Sequence, residues 1–482
     1  MSKIVAVIDI GSNSARMAIF RRTSRFGFHL ILETKSKVRI SEGCYENGGY
    51  LQKIPMKRAM EAICDFHKIA KNNNARKIFC VATSAIRDAP NKNQFISSLR
   101  AKTGINIKVI DGKKEALYGA IACCNLLHSK SGITIDIGGG STECAIIENG
   151  KILELISLNI GTIRIKELFF DAKYDLQKAK KFIQQELEKL PKTFKHNIVF
   201  GIGGTIRTLA KLIMKKEKYP LNLMHGYEFS PQKQLQFFKD IYNSDISELR
   251  KINIPQDRED NIRSGTLIFS MILELIEAKK IITSGVGVRE GVFLSDLLRN
   301  QNYVFPNNFN PSHRSLIDRF SLNLKHQNII KINALNLFNA ICEHKNIDKK
   351  YSTHIQTASA LSRIGSYLHS YTIGTHSAYF ILNSLNYGYS HIDKAIIYAL
   401  IRYANKKIPK NDKIISLLPD LLTIKWLGFI LVIAEALSIT NKICNFSYKN
   451  NILYIGFCGD IYLVKEKINS LSRSHLLKIE FL

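Results

Sequence analysis

The sequence predicts an α/β protein in which two related half-domains face a cleft, followed by a mostly helical C-terminal region. Three observations predict it. Residues 8–20 read I-D-I-G-S-N-S-A-R-M-A-I-F and residues 135–147 read I-D-I-G-G-G-S-T-E-C-A-I-I, so apolar strand, aspartate, glycine turn and second strand occur twice. Between and after these hairpins, strand-like and helix-like apolar spacings alternate, as in layered α/β folds. Beyond residues 300–311, a linker-like stretch holding Pro306, Pro311 and five asparagines, the spacing is almost wholly helical.

In the second hairpin Ile133, Ile135 and Ile137 bring Asp136 to a strand end, and Gly138, Gly139 and Gly140 reverse the chain. Glycines without Cβ expose successive N–H groups, and a concave row of N–H groups seats phosphate oxygens. Asp136 and Glu143 flank that seat as carboxylates suited to magnesium, which shares hard oxygen ligands with substrate phosphates. A tight turn with a surface acid on each side is the other reading of the same residues. Repetition of the device at Asp9, Gly11, Ser12, Asn13 and Ser14 favours two half-sites facing each other.

At 482 residues the chain exceeds one hydrophobic core, and 45% hydrophobic with 23% charged residues is a globular composition. Lys and Arg number 69 against 40 Asp and Glu, and the resulting +29 is spread along the chain. Such a potential favours polyanions: polyphosphate, nucleic acid, nucleotides or an anionic membrane surface. Drift in a Lys- and Asn-rich proteome gives the same figure, but the phosphate-type hairpins point independently to a polyanion. Nine cysteines, including the adjacent Cys123 and Cys124 but no C-x-x-C, are expected of reduced thiols in a cytoplasmic protein. No long apolar segment precedes the first motif. The most membrane-like stretch, 426–437, is too short to span a bilayer and contains Glu435, so a buried helix and no transmembrane segment are expected.

In chain order, strands are expected at 28–32 and 38–40 and a helix at 55–71, from the spacing of Met56, Ala59, Met60, Ile63 and Phe66. A strand at 78–82 ends in Thr83, Ser84 and Arg87, and strand ends of this kind present ligand groups in α/β sheets. Taken alone, Arg87 reads as a surface arginine. After a strand at 107–110, Asp111 caps a helix over 111–122. Glu115 falls in its first turn, where the helix dipole already favours an acid. Strands at 152–158 and 198–200 bracket a Lys-rich helical segment, and the second leads into G-I-G-G-T at 201–205. That turn lacks the third glycine of a dinucleotide fingerprint, and no G-x-x-x-x-G-K-[ST] occurs, which removes the P-loop reading. A helix over 257–277 carries Arg258 and Arg263. Six helices (312–321, 329–344, 352–369, 375–385, 391–405, 413–441) and short strands at 452–457, 461–464 and 476–481 close the chain.

Taken in order, the two hairpins, G-I-G-G-T and V-R-E-G at 288–291 resemble the exopolyphosphatase and guanosine pentaphosphate phosphohydrolase (Ppx/GppA) family, within the actin/Hsp70/sugar-kinase (ASKHA) superfamily. Each motif is weak, whereas the ordered set is specific and covers about the first 300 residues. The resemblance implies two actin-like, ribonuclease H-like domains (1–125 and 126–300) flanking the cleft. It also implies a mostly helical C-terminal domain (312–482) resembling a degenerate HD domain. Activity on the terminal phosphoanhydride of inorganic polyphosphate follows from it, with guanosine pentaphosphate as the alternative substrate at the same site. Implied roles are Glu115 as the base, Mg2+ or Mn2+ on Asp136, Glu143 and Asp9, and phosphate contacts from Gly11, Ser12, Asn13, Ser14, Arg87, Gly138, Gly139, Gly140, Ser141, Thr142, Gly203, Gly204 and Thr205.

Lys114 stands where the family usually has an acid, and its charge is expected to keep Glu115 ionised and slightly less basic. In A-L-S-R-I-G, Ser362 and Arg363 occupy the places of the HD metal pair, leaving His376, so no C-terminal metal centre is expected. The resemblance also implies a homodimer; no specific nucleic-acid partner is expected. A superfamily kinase and a non-enzymatic polyanion-binding protein are the rival classes. The first would need an acceptor and an adenosine pocket, and the second would release no phosphate.

Overall fold

The computed structural model describes residues 3–171, 174–404, 406–456, 461–471 and 477–482. The chain divides into two compact units, Met1–Phe309 and Asn310–Leu482.

The first unit is built on two mixed sheets. In one, β1 (Ile4–Ile10) pairs antiparallel with β2 (Ala15–Arg22), β2 with β3 (Phe28–Ser36), and β1 parallel with β4 (Lys77–Ala82), which lies beside β5 (Ile107–Val109). The other repeats this order: β6 (Gly132–Ile137), β7 (Thr142–Glu148) and β8 (Lys151–Leu158) form the meander, and β9 (Ile198–Ile202), β11 (Lys280–Thr283) and the short β10 (Glu228–Phe229) extend it. The duplicated hairpins are thus the β1–β2 and β6–β7 turns. Both central strands are buried almost throughout, β1 as a near-continuous apolar run and β6 with Thr134 among its isoleucines, because parallel pairing on one side and helices over the faces cover them.

Helices α1 (Lys53–Asn72), α2 (Ser84–Arg87) and α3 (Lys92–Thr103) serve the first sheet, α1 through a buried stripe of Pro55, Ala59, Ile63, Phe66 and Ala70. Next come α4 (Gly112–Leu126), α5 (Thr162–Phe169), α6 (Leu176–Leu187), α7 (Gly204–Lys216), α8 (Leu235–Asn243), α9 (Ile246–Lys251), α10 (Ile262–Ile276) and α11 (Val288–Leu297). Residues 38–40 are not a strand. Arg39 takes a left-handed φ of 45° and its N–H donates to the Asn13 carbonyl at 2.9 Å, folding the segment onto the first glycine turn. The helix expected from 257 starts at Ile262, because Arg258 N–H closes a turn on the Pro255 carbonyl.

In the second unit α12 (Pro311–Phe320), α13 (Leu324–Ile341), α14 (Ser352–Leu361), α15 (Ile373–Ser384), α16 (His391–Arg402) and α17 (Leu421–Leu437) enclose one apolar core. A three-stranded sheet follows, in the order β12 (Asn445–Lys449), β13 (Ile452–Gly456), β14 (Lys478–Phe481). Residues 461–464, expected as strand, open α18 (Tyr462–Asn469); residues 457 and 476, at the ends of the other expected strands, lie outside the described residues. The apolar stretch at 426–437 belongs to a longer helical run, 421–440, which reaches spanning length by composition but is 72% buried in the structure, as a core helix is. The Ser362 carbonyl accepts from Ser377 Oγ at 2.6 Å, and His376 Nε2 lies 3.3 Å from Thr372 Oγ1.

Helix α11 crosses α4 at Gly291, where a Cβ would stand 2.0 Å from the Tyr118 carbonyl oxygen. Backbone cannot yield there as a flexible side chain does. Gly291→Ala should therefore destabilise by about 1–3 kcal/mol; an unchanged thermal midpoint would contradict this packing.

Candidate active site

The two glycine turns meet tip to tip. A Cβ on Gly139 would fall 2.6 Å from Ser12 Cβ, and one on Gly161 within 2.5 Å of the Gly139 carbonyl. Only glycine permits these approaches. Carbonyls of the second turn are used up on the start of α5: Gly138 O accepts from Thr162 N–H at 2.9 Å, and Gly139 O from Ile163 and Arg164 N–H at 2.8 and 3.1 Å. Gly203, at φ 94°, packs where a Cβ would lie 3.0 Å from Asp136 Oδ1, and Gly204 lies under the Arg258 guanidinium, 2.4 Å from an added Cβ.

Between the sheets lies a cavity of about 150 Å³ lined by Asp9, Gly11, Ser12, Asn13, Ser14, Glu115, Asp136, Gly138, Gly139, Gly203, Gly204 and Thr205. Arg87, Gly140, Ser141, Thr142 and Glu143 do not line it. Gly140 sits beneath Tyr45 and Ser84, the Thr142 hydroxyl donates to the Ile160 carbonyl at 2.6 Å, and Glu143 Oε1 accepts from Ser157 Oγ at 2.8 Å. Arg87, expected on the phosphate chain, instead donates to Glu115 Oε2 at 3.2 Å and to Asp88 Oδ1 at 3.1 Å.

The carboxylates resist ionisation. Burial raises Asp9 to about 6 and Asp136 to about 6, against the attraction of nearby arginines. Glu115 is raised well above the usual range, first by burial and then by repulsion from Glu143, with Arg87 opposing. Burial also raises Glu143. The expected acidifying effect of Lys114 on Glu115 is not what the structure has: Lys114 Nζ lies over the Tyr118 ring at 5.3 Å, and burial decides the direction. Its backbone N–H does receive the Asp111 cap, at 2.7 Å.

Facing these acids are four arginines that sequence reasoning did not assign to phosphate: Arg16, Arg207, Arg258 and Arg289 all line the cavity. Arg207 is lowered to about 10 by burial and by repulsion from the other three. Arg16 is lowered for the same reasons, whereas Arg289, despite burial, is raised by Glu290 and Glu33 and donates to Glu33 at 2.7 Å. Three of the four stand inside or just after the motifs, at S-N-S-A-R, G-G-T-I-R and V-R-E. That position is the signal by which they could have been found.

Matches to family models decide the lineage: the model described as Ppx/GppA phosphatase family fits residues 18–300, and that for domain III of Ppx/GppA phosphatase fits 310–431. The chain belongs to the Ppx/GppA phosphatase family. It is similar to a Pseudoalteromonas translucida protein named guanosine-5'-triphosphate,3'-diphosphate pyrophosphatase, 28% identical over 418 residues, with 85% of this chain and 82% of that one covered. A Fusobacterium nucleatum bifunctional 3-dehydroquinate synthase/phosphatase is 30% identical over 296 residues, covering 58% of this chain and 44% of that one, so the match spans under half of that relative. Among solved structures, an Aquifex aeolicus Ppx/GppA family member aligns at TM-score 0.54 and 28% identity, over 62% of this chain and 99% of its own. An exopolyphosphatase from Cytophaga hutchinsonii aligns at 0.56 and 24% identity, over 61% and 98%, and shows the fold alone. The duplicated sheets are the two actin-like halves of Ppx/GppA proteins.

Among the described residues no three His, Cys, Asp or Glu side chains gather closely enough to hold a metal alone. The acids nonetheless fit magnesium, which takes one or two carboxylates and completes its shell with water and phosphate. Asp9 Oδ1 is buried without any hydrogen-bond partner, an orphan that a cation would satisfy.

With Asp136 held near 6 against an ordinary 3.8, the folded state keeps a proton that the unfolded chain has lost, so this residue's contribution to stability falls as pH rises from about 4 through 6. In metal-free buffer Asp136→Asn should stabilise the protein by about 3 kcal/mol at pH 7.5, at ~1.4 kcal/mol per pH unit, and by little at pH 4. Equal effects at both pH values would contradict the burial of this charge.

Proposed function

We propose that the cleft hydrolyses the terminal phosphoanhydride of inorganic polyphosphate and releases orthophosphate. What carries this is a single pocket that opposes four crowded guanidiniums to buried carboxylates. Mutually repelling arginines are relieved by a polyanion, and guanidinium forks match phosphate oxygens. Backbone at 11–14 and 138–139 seats the terminal groups while the arginines hold the phosphates behind them. Glu115 takes the proton of the attacking water, and the burial that raises its proton affinity makes it a stronger base than an exposed carboxylate. Arg87 is a positioning residue that fixes the Glu115 carboxylate. Asp9 and Asp136, backed by Glu143, would hold Mg2+ or Mn2+, which when bound neutralises charge on the phosphate oxygens. The remaining parts of the proposal are a cytoplasmic homodimer, in keeping with eight described cysteines that are all free, and a C-terminal unit that contributes to the dimer contact.

Guanosine pentaphosphate is the second reading at the same site. It is favoured by relatives named for that nucleotide, whose sequences match this chain over 80–82% of their own length. Competition between long-chain polyphosphate and the nucleotide separates the two: hydrolysis of polyphosphate that the nucleotide only inhibits supports the first.

Glu115→Gln should lower phosphate release by about 10²–10⁴ with its melting curve intact. Wild-type turnover in that variant would remove Glu115 from the chemistry.

A further inference from the structure

At the opposite end of the first sheet from the cleft, a second pocket of about 250 Å³ is lined by Lys3, Arg22, Arg25, Phe26, Lys77, Asp296 and Arg299, among others. Five cations surround one carboxylate. Both Asp296 oxygens are engaged by Lys77 Nζ, at 2.8 and 3.0 Å, and Arg299 lies 3.7 Å from one of them. Arg22 donates to the Arg25 carbonyl at 2.7 Å, and Arg25 lies 4.9 Å from the Phe26 ring centre. Among the described residues, therefore, Lys3, Arg22 and Arg25 meet no carboxylate, while the one acid present is already neutralised.

The two pockets are distinct. Lys3 precedes β1 and Asp9 ends it, a separation of about 20 Å along the strand. Helix α11 likewise has Arg289 in the cleft at one end and Asp296 at the rear pocket at the other. The lining selects the ligand. Among the described residues Phe26 is the one aromatic side chain of the pocket, and it is already engaged by Arg25 at 4.9 Å and by edge contacts with Phe305 and Phe309. Small, highly charged and tetrahedral is the chemistry that remains, because arginine forks and lysine ammonium groups both bind phosphoryl oxygens. We infer that this rear pocket is a second binding site, for an inorganic phosphoanion. Free orthophosphate and a segment of polyphosphate chain share that chemistry.

The test is calorimetric titration of the full-length protein with methylenediphosphonate, a non-hydrolysable diphosphate, without metal. Wild type should bind at two classes of site. Arg25→Gln/Arg299→Gln changes two exposed side chains, leaves the Lys77–Asp296 pair intact, and should weaken one class at least tenfold. Arg207→Gln, in the cleft, should weaken the other. If both classes persist unchanged in the rear double variant with its melting curve intact, or wild type shows one class lost only in Arg207→Gln, the inference is overturned. A single class lost only in the rear variant would uphold the rear site and count against the cleft reading instead. Displacement of the probe by orthophosphate would identify a free-phosphate site, displacement by long-chain polyphosphate alone a chain site, and displacement by neither would overturn the proposal.

Discussion

Charge held in a dry place governs the first unit. Four arginines and four carboxylates converge between two sheets, and within each set like charges repel: Arg207 is lowered towards 10, and Asp9 and Asp136 are raised towards 6. Burial is the leading cause in each case, so the tension comes from desolvation that the internal ion pairs only partly offset. In the proposed function a phosphate chain would answer the arginines and a divalent cation the acids, and one ligand carrying both would relax the whole cleft. Affinity and reactivity would then share a source, since the same desolvation that crowds the arginines keeps Glu115 basic.

Keeping those charges together depends on close backbone contact and on polar bridges. Gly139 against Ser12 brings the two turns together, and Gly161 against Gly139 holds the second turn on the start of α5, at distances that leave no room for a Cβ on either glycine. Around them, the first sheet and its loops reach the second half through Arg289–Glu33 at 2.7 Å, Arg39–Asp260 at 2.8 Å, Lys35–Asp257 at 3.1 Å and Gly43 and Tyr45 N–H groups on Glu167 at 3.3 Å. Partly exposed pairs of this kind are each worth ~0–1 kcal/mol. These small, salt-sensitive links add to apolar contact between the halves, where Phe293 of α11 stacks on Phe20 at 4.4 Å between ring centres and lies 4.8 Å from Phe28.

Much of this was legible in the sequence, for definite reasons. Glycine turns after an aspartate announce themselves, because nothing larger than glycine fits against Ser12 at 139, and the duplicated I-D-I-G implies two halves that the matching sheet orders bear out. The pairing of Arg87 with Glu115 is not legible, because a strand-end arginine looks alike whether it faces a ligand or a carboxylate; only the fold brings α2 against Glu115. Arg16, Arg207 and Arg289 sit in or beside the motifs, but their convergence is not legible, because only the packing of the two sheets brings side chains so far apart in sequence to one cavity. Lys114 misled for a related reason: local charge is readable from sequence, and burial is not.

The central claim is that the cleft is under electrostatic tension that phosphoanion and cation relieve together. Its most direct measurement is the thermal midpoint of wild-type protein and Arg207→Gln, each with inorganic tripolyphosphate and magnesium, separately and combined. Binding to the folded state stabilises by mass action. The account predicts that the combination raises the wild-type midpoint by more than the two separate shifts added, and that this excess shrinks in Arg207→Gln. Purely additive shifts, or the same excess in the variant, would contradict it.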